Sequence, residues 1–147
     1  MAIADIFRPK HKHSKSEVRA AAVAAMNKED LDLLVEVASG DVDAGIRRSA
    51  IGKIADPEAL ATVAESQDDG KLRDYATSLA VQLWVATAIS ADDLTVAKSS
   101  FNKAASHGGD RALAEIAGQA QHPEVRSQAL ARLQDEKALA QVVRKSQ

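Results

Sequence analysis

Cysteine is absent from this chain of 147 residues. Its absence excludes a disulfide scaffold, a Cys-ligated zinc site and a thiol nucleophile. Aromatic residues make up only 3% of the chain: one Trp, one Tyr and two Phe. A core with so few rings is built from small aliphatic side chains set close together, and alanine alone supplies 30 residues. No apolar run approaches the roughly 18 residues of a membrane span. The opening MAIADIFRPKHKH lacks the apolar centre of a secretion signal, because Asp5 and Arg8 interrupt it. The sequence also lacks His-Glu-x-x-His, a phosphate-binding glycine loop and Gly-x-Ser-x-Gly. These absences predict a soluble, cytoplasmic, alanine-rich helical protein with no catalytic residue, no cofactor and no metal. The length fits one domain with a closed core.

What is present is a repeat. Glu17-Val18-Arg19, Gly45-Ile46-Arg47, Lys71-Leu72-Arg73 and Glu124-Val125-Arg126 share one pattern. Their apolar positions lie 28, 26 and 53 residues apart, and the last interval is close to two units. Such a period suits two short helices and two turns. The second half of each unit recurs as well, at 31–38, 59–64, 112–117 and 138–143. Each copy places Leu, an aliphatic residue three later, then Ala or Val, which is the stripe of a short amphipathic helix. The Arg-bearing segments carry their own stripes. One is Val18, Ala21, Ala22, Ala25 and Met26; another is Val125, Ala129, Leu130 and Leu133. No stretch alternates with period two, so no strand is expected.

Punctuation fits this frame. Asn27, Asp56, Asp92-Asp93 and Asp135 stand where helices should start, and Pro57 and Pro123 suit first turns. Ser39-Gly40-Asp41, Asp68-Asp69-Gly70 and His107-Gly108-Gly109-Asp110 read as turns, the paired glycines ending one helix. Helices of about 10–12 residues are too short to stand alone, so each must lean on the next. Residues 71–89 contain no turn residue, leaving one long helix or two open there. Trp84, Tyr75 and Phe101 cluster in or beside that irregular unit. Bulky residues there read as a plug that fills mismatched stacking, with a recognition role as the alternative.

The pattern Pro-Glu-Val-Arg-x-x-Ala-x-x-x-Leu followed by Leu-x-x-Val-Ala resembles the short bacterial HEAT-like repeat of the lyase type. Its clearest copies run from His122 to Leu133 and from Ala44 to Ala55. The opening Phe7-Arg8-Pro9-Lys10 is also similar to the start of bacterial proteins that carry such repeats ahead of a coiled coil. The resemblance implies an all-α fold, a right-handed α-solenoid of about five helix pairs over 16–147, with 1–15 as a basic arm or cap. It also implies a protein-binding surface. In that family the repeated Arg typically pairs with an Asp in the preceding turn. Asp43 and Asp69 stand four residues before Arg47 and Arg73, and Asp41 stands six before Arg47. Lys15 and His122 hold the equivalent places before Arg19 and Arg126, so those rungs are expected to lack an acidic mate.

Charge is uneven. Within residues 1–20, Arg8, Lys10, Lys12, Lys15 and Arg19 outweigh Asp5 and Glu17 to leave +3, so the other 127 residues sum to −5. The arm is expected to be a solvated, poorly ordered terminus, with contact to an anionic partner as the alternative. Ile3, Ile6 and Phe7 form a short apolar stripe ahead of the basic run. They are expected to cap the open end of the repeat core, with insertion into an anionic membrane as the alternative. His11 and His13 alternate as metal ligands can, but their lysine neighbours repel a cation.

The candidate partner-binding residues are Arg8, Lys10, Lys12, Lys15, Arg19, Arg47, Arg73, Arg126 and Trp84. The expected function is a non-catalytic protein–protein scaffold or adaptor, free to oligomerise by end-to-end stacking through the helix from Glu136 to Lys145. A nucleic-acid binder using the arm and the repeat arginines is the first alternative. The resemblance to parts of bilin-attachment lyases and their partners implies an accessory role as the second.

Overall fold

The computed structural model describes residues 3–145, and every regular element among them is helical. The order is α1 (Ile3–Ile6), a 3-10 turn (Lys10–Lys12), α2 (Ser16–Ala25), α3 (Leu31–Gly40) and α4 (Ala44–Ile51). It continues with α5 (Pro57–Ser66), α6 (Gly70–Ser90), α7 (Leu94–Gln119) and α8 (Pro123–Lys145). The chain forms two compact units, Met1–Ala80 and Val81–Gln147, and α6 runs through the boundary.

In the N-terminal unit α3 packs on α4 and on α5, while α2 packs on α4 and on the 3-10 turn. Helices thus meet both the next element and the next but one, giving two layers. The sequence stripes supply the contacts: Leu34, Val37 and Ala38 of α3 are buried, as are Leu60, Val63 and Ala64 of α5. Among the described residues alanine accounts for twelve of the buried apolar side chains, so helices approach closely with little side chain between them. Asp56 caps α5 by accepting from the Ala59 amide at 2.8 Å, with Pro57 in the first turn. Asn27 starts only a turn, accepting from the Glu29 amide, and α3 begins at Leu31.

In the C-terminal unit α7 packs against α8. Asp93 caps α7 through the Val96 amide at 3.0 Å. The glycine pair does break this helix: Gly109 takes φ 60° and ψ −152°, a conformation open to glycine alone. Gly108 is demanded by close approach, since a Cβ there would stand 2.6 Å from Val81 Cγ1. Ala112, Leu113 and Ile116 of the third stripe copy are buried. The copy at 138–143 has most of its side chains outside the described residues, as does Ile3.

One open question closes here and two expectations change. Residues 71–89 form one helix, α6. Asp135 does not start a helix; α8 passes through it, because Glu124 to Lys145 contains neither Gly nor Pro to stop it. The uniform series of short pairs therefore gives way to longer helices beyond residue 70.

Candidate functional site

The four repeat arginines share one geometry, and it differs from the acidic pairing that the sequence suggests. Arg19 Nη1 donates to the His13 carbonyl at 3.0 Å. Arg47 Nη1 donates to the Asp41 carbonyl, Arg73 Nη2 to the Gln67 carbonyl and Arg126 Nη1 to the Ala120 carbonyl, each at 2.6 Å. Every acceptor lies six residues upstream and is the residue that closes the preceding helix or 3-10 turn. A helix end leaves carbonyls unsatisfied and carries partial negative charge, so a guanidinium there satisfies both. Asp43 and Asp69 are committed elsewhere. Asp43 accepts from the Gly45 and Ile46 amides, and Asp69 from those of Lys71 and Leu72. One turn thus places an Asp that starts its own helix and, four residues on, an Arg that finishes the previous one.

Arg19 reverses a second expectation. Its Nε and Nη2 donate to Asp41 at 2.9 and 3.3 Å, so this rung does have an acidic mate, supplied by the next repeat. His122, in the place of an N-capping Asp, directs its ring Nε2 to the Ala91 carbonyl at 2.8 Å.

Trp84 is buried at 3% exposure, with its ring centroid 5.1 Å from that of His107, and Phe101 is buried beside the same helices. Trp84 fills the interior of the C-terminal unit and presents no ring to solvent. Tyr75 is covered instead by Arg48, whose guanidinium carbon lies 4.0 Å from the ring centroid. Two polar residues that the sequence reading passed over hold helix ends together. Buried Gln67 donates to the Ala38 carbonyl at 2.8 Å, and Lys53 Nζ to the Ala24 and Met26 carbonyls at 2.7 Å. Neither belongs to a motif, so nothing in the pattern marks them.

The arm is a pinned loop. Asp5 is buried, and both its oxygens are held by Ser14, through the hydroxyl at 2.5 Å and the amide at 3.3 Å. Those bonds hold the Asp5 carboxyl below its ordinary range, with His13 and Arg8 adding to the effect and burial opposing it. Arg8 Nη1 stands 3.5 Å from Asp5 and 3.4 Å from the Lys12 carbonyl. Lys12 Nζ pairs with Glu36 of α3 at 2.7 Å, which draws the Glu36 carboxyl down as well. His11 leans on Glu36 at 3.7 Å, whereas His13 Nδ1 accepts from the Lys15 amide. The two histidines therefore serve different partners. Lys10 and Lys15 remain exposed.

The capping expectation for the apolar stripe is overturned. Ile6 is 66% exposed and Phe7 87%, while the acid between Ile3 and Ile6 turns inward. Ser14 fixes Asp5 inside, and the neighbouring side chains are thereby directed out.

Two hollows flank this loop. One, of about 350 Å³, is lined by His11, Lys12, Arg19, Glu36 and Asp41 together with Val42. Its charges are mutually paired. The other, of about 330 Å³, runs along α2 between Lys10 and Glu17 and is floored by Val18, Ala21, Ala22 and Ala25. No family model matches the chain, and neither does any curated protein or solved structure.

The floor of the second hollow is the stripe expected to face the core. One repeat later the equivalent residues Ile46 and Ala50 are buried at 5% and 0%, on a helix that α2 packs against. In α2 only Val23 is fully buried, while Val18 and Ala22 are half-buried and Ala21 and Ala25 exposed. The 3-10 turn packs against α2, with Lys10 on the rim, and leaves that strip uncovered.

In the C-terminal unit, Asp110, just past the glycine pair, stands beside Glu136. A hydrogen bond between the two carboxyl groups raises that of Glu136, with burial in support and Arg132 in opposition. No group of three or more metal-ligating side chains gathers among the described residues.

Proposed function

We propose that this chain is a non-catalytic interaction scaffold: a right-handed α-solenoid of HEAT-like helix pairs, working in the cytoplasm and docking another protein on its first repeat. The observation that carries the reading is the face of α2, where Val18 and Ala22 are only half-buried and Ala21 and Ala25 exposed, while Ile46 and Ala50, one repeat on, are buried. A stack buries each helix under its predecessor, and the 3-10 turn that precedes α2 packs against it without closing over this face. Small side chains on that face let a partner helix lie close, and Lys10 and Glu17 on the rim supply orientation. The nucleic-acid alternative is weaker, because Arg47, Arg73 and Arg126 spend their guanidinium groups on backbone carbonyls.

Site-specific photocrosslinking in source-cell extract tests the reading. A photoreactive side chain at Ala21 or Ala25 should give discrete protein adducts, and Ala22→Arg should abolish them. Equal adducts from a reporter at Val96, in the C-terminal unit, or survival of the adducts in the Ala22→Arg variant, would contradict it.

A further inference from the structure

We propose that the N-terminal loop is a peripheral membrane anchor that inserts Ile6 and Phe7 into an anionic lipid surface. Three observations point the same way. First, the two large apolar side chains are adjacent and protrude, at 66% and 87% exposure. A side chain that open is costly to leave in water and has no pocket of its own. Second, the loop is pinned rather than loose. Asp5 is held by Ser14 at one end, and Lys12 is tied to Glu36 near the other, so the tip is presented in one conformation. The entropy of ordering it is already spent in folding.

Third, the exposed charges of the tip itself are basic, the exposed acids Glu17 and Glu36 belonging to α2 and α3. Arg8, Lys10 and Lys15 are exposed, while the acid of the tip, Asp5, is withdrawn from the surface. A protruding apolar pair on a segment whose exposed charges are cationic complements a layer that is anionic at its surface and apolar just beneath. A nucleic acid would use the cations and leave Ile6 and Phe7 in water. Two short apolar side chains with a few basic residues give reversible attachment, so binding should depend on both signals.

The test is co-sedimentation of the full chain with vesicles of phosphatidylcholine alone and of phosphatidylcholine mixed with phosphatidylglycerol. The chain should pellet with the anionic vesicles, remain in solution with the neutral ones, and dissociate as salt is raised. The double variant Ile6→Ser, Phe7→Ser should bind about tenfold more weakly, as expected when apolar insertion is lost. Both side chains are exposed, so its circular dichroism should match that of the wild type. Val96→Ser, which removes an exposed valine of the C-terminal unit, should bind as the wild type does. Phe7→Trp should shift its emission to the blue on anionic vesicles only. Absence of binding to anionic vesicles, equal binding to neutral ones, or unchanged binding by the double variant would each overturn the proposal. Loss of the Ala21 crosslinks with vesicle binding intact would count against the protein-docking reading alone.

Discussion

An arginine that recurs once per repeat looks, in a sequence, like a ligand ladder or a set of ion pairs. In this protein it is a helix terminator. Arg47 lies half-buried and reaches the carbonyl that ends α3, while Asp43, four residues earlier, starts α4. Removing the guanidinium leaves that carbonyl without its charged donor. Arg47→Ala should therefore cost about 1–2 kcal/mol in chemical denaturation, the range for a hydrogen bond with one charged partner, reduced for partial exposure. Arg47→Lys should recover only part of it, since a lysine offers no planar fork. A loss below about 0.5 kcal/mol for Arg47→Ala, the usual scale of inert surface changes, would deny the capping role. The position of each Arg was legible in the repeat. Its acceptor was not, because a backbone carbonyl has no residue type to read, and a nearby Asp offers a misleading one. The inward turn of Asp5 was hidden for a similar reason: its partner, Ser14, lies nine residues away and belongs to no motif.

At the scale of elements, periodicity and breakers set what could be read. Stripes at 31–38, 59–64 and 112–117 name the side chains that pack, because a helix buries whatever recurs on one face. Asp56, Asp93 and the glycine pair were legible as boundaries because caps and positive φ need particular residues. The fusion of α8 was not, since Asp135 is a poor helix former that an otherwise continuous helix tolerates. Gly109 is the element boundary with the sharpest chemical demand. Gly109→Ala should destabilise the protein by about 1–3 kcal/mol, the cost of forcing an L side chain into that backbone region. Gly118→Ala, in an open position of the same helix, should be neutral or gain up to about 1 kcal/mol. Denaturant midpoints of the two variants check this. Equal effects would mean that the break at Gly109 is not required.

At the scale of the molecule, the proposed stack links the arginines, the small side chains and the open groove: in it each repeat would be completed by its neighbours. Composition supports that proposal, since short alanine-rich helices bury enough surface only against neighbours. The sequence could not show which face of α2 would lack a neighbour, because its stripe is as apolar as the buried ones that follow. Among the described residues no helix is long and apolar enough to cross a membrane. The most direct test is a pair of matched enlargements one repeat apart, Ala50→Leu and Ala22→Leu, read by chemical denaturation. Ala50 is fully buried on a helix that α2 packs against, so the added bulk there should cost about 1–3 kcal/mol, the usual price of overpacking. Ala22 is half-buried but lines the groove, which has room for added bulk, so its enlargement should cost less than that at Ala50 by about 1 kcal/mol or more. Equal destabilisation at both positions would mean that the face of α2 is already covered, and would contradict the account.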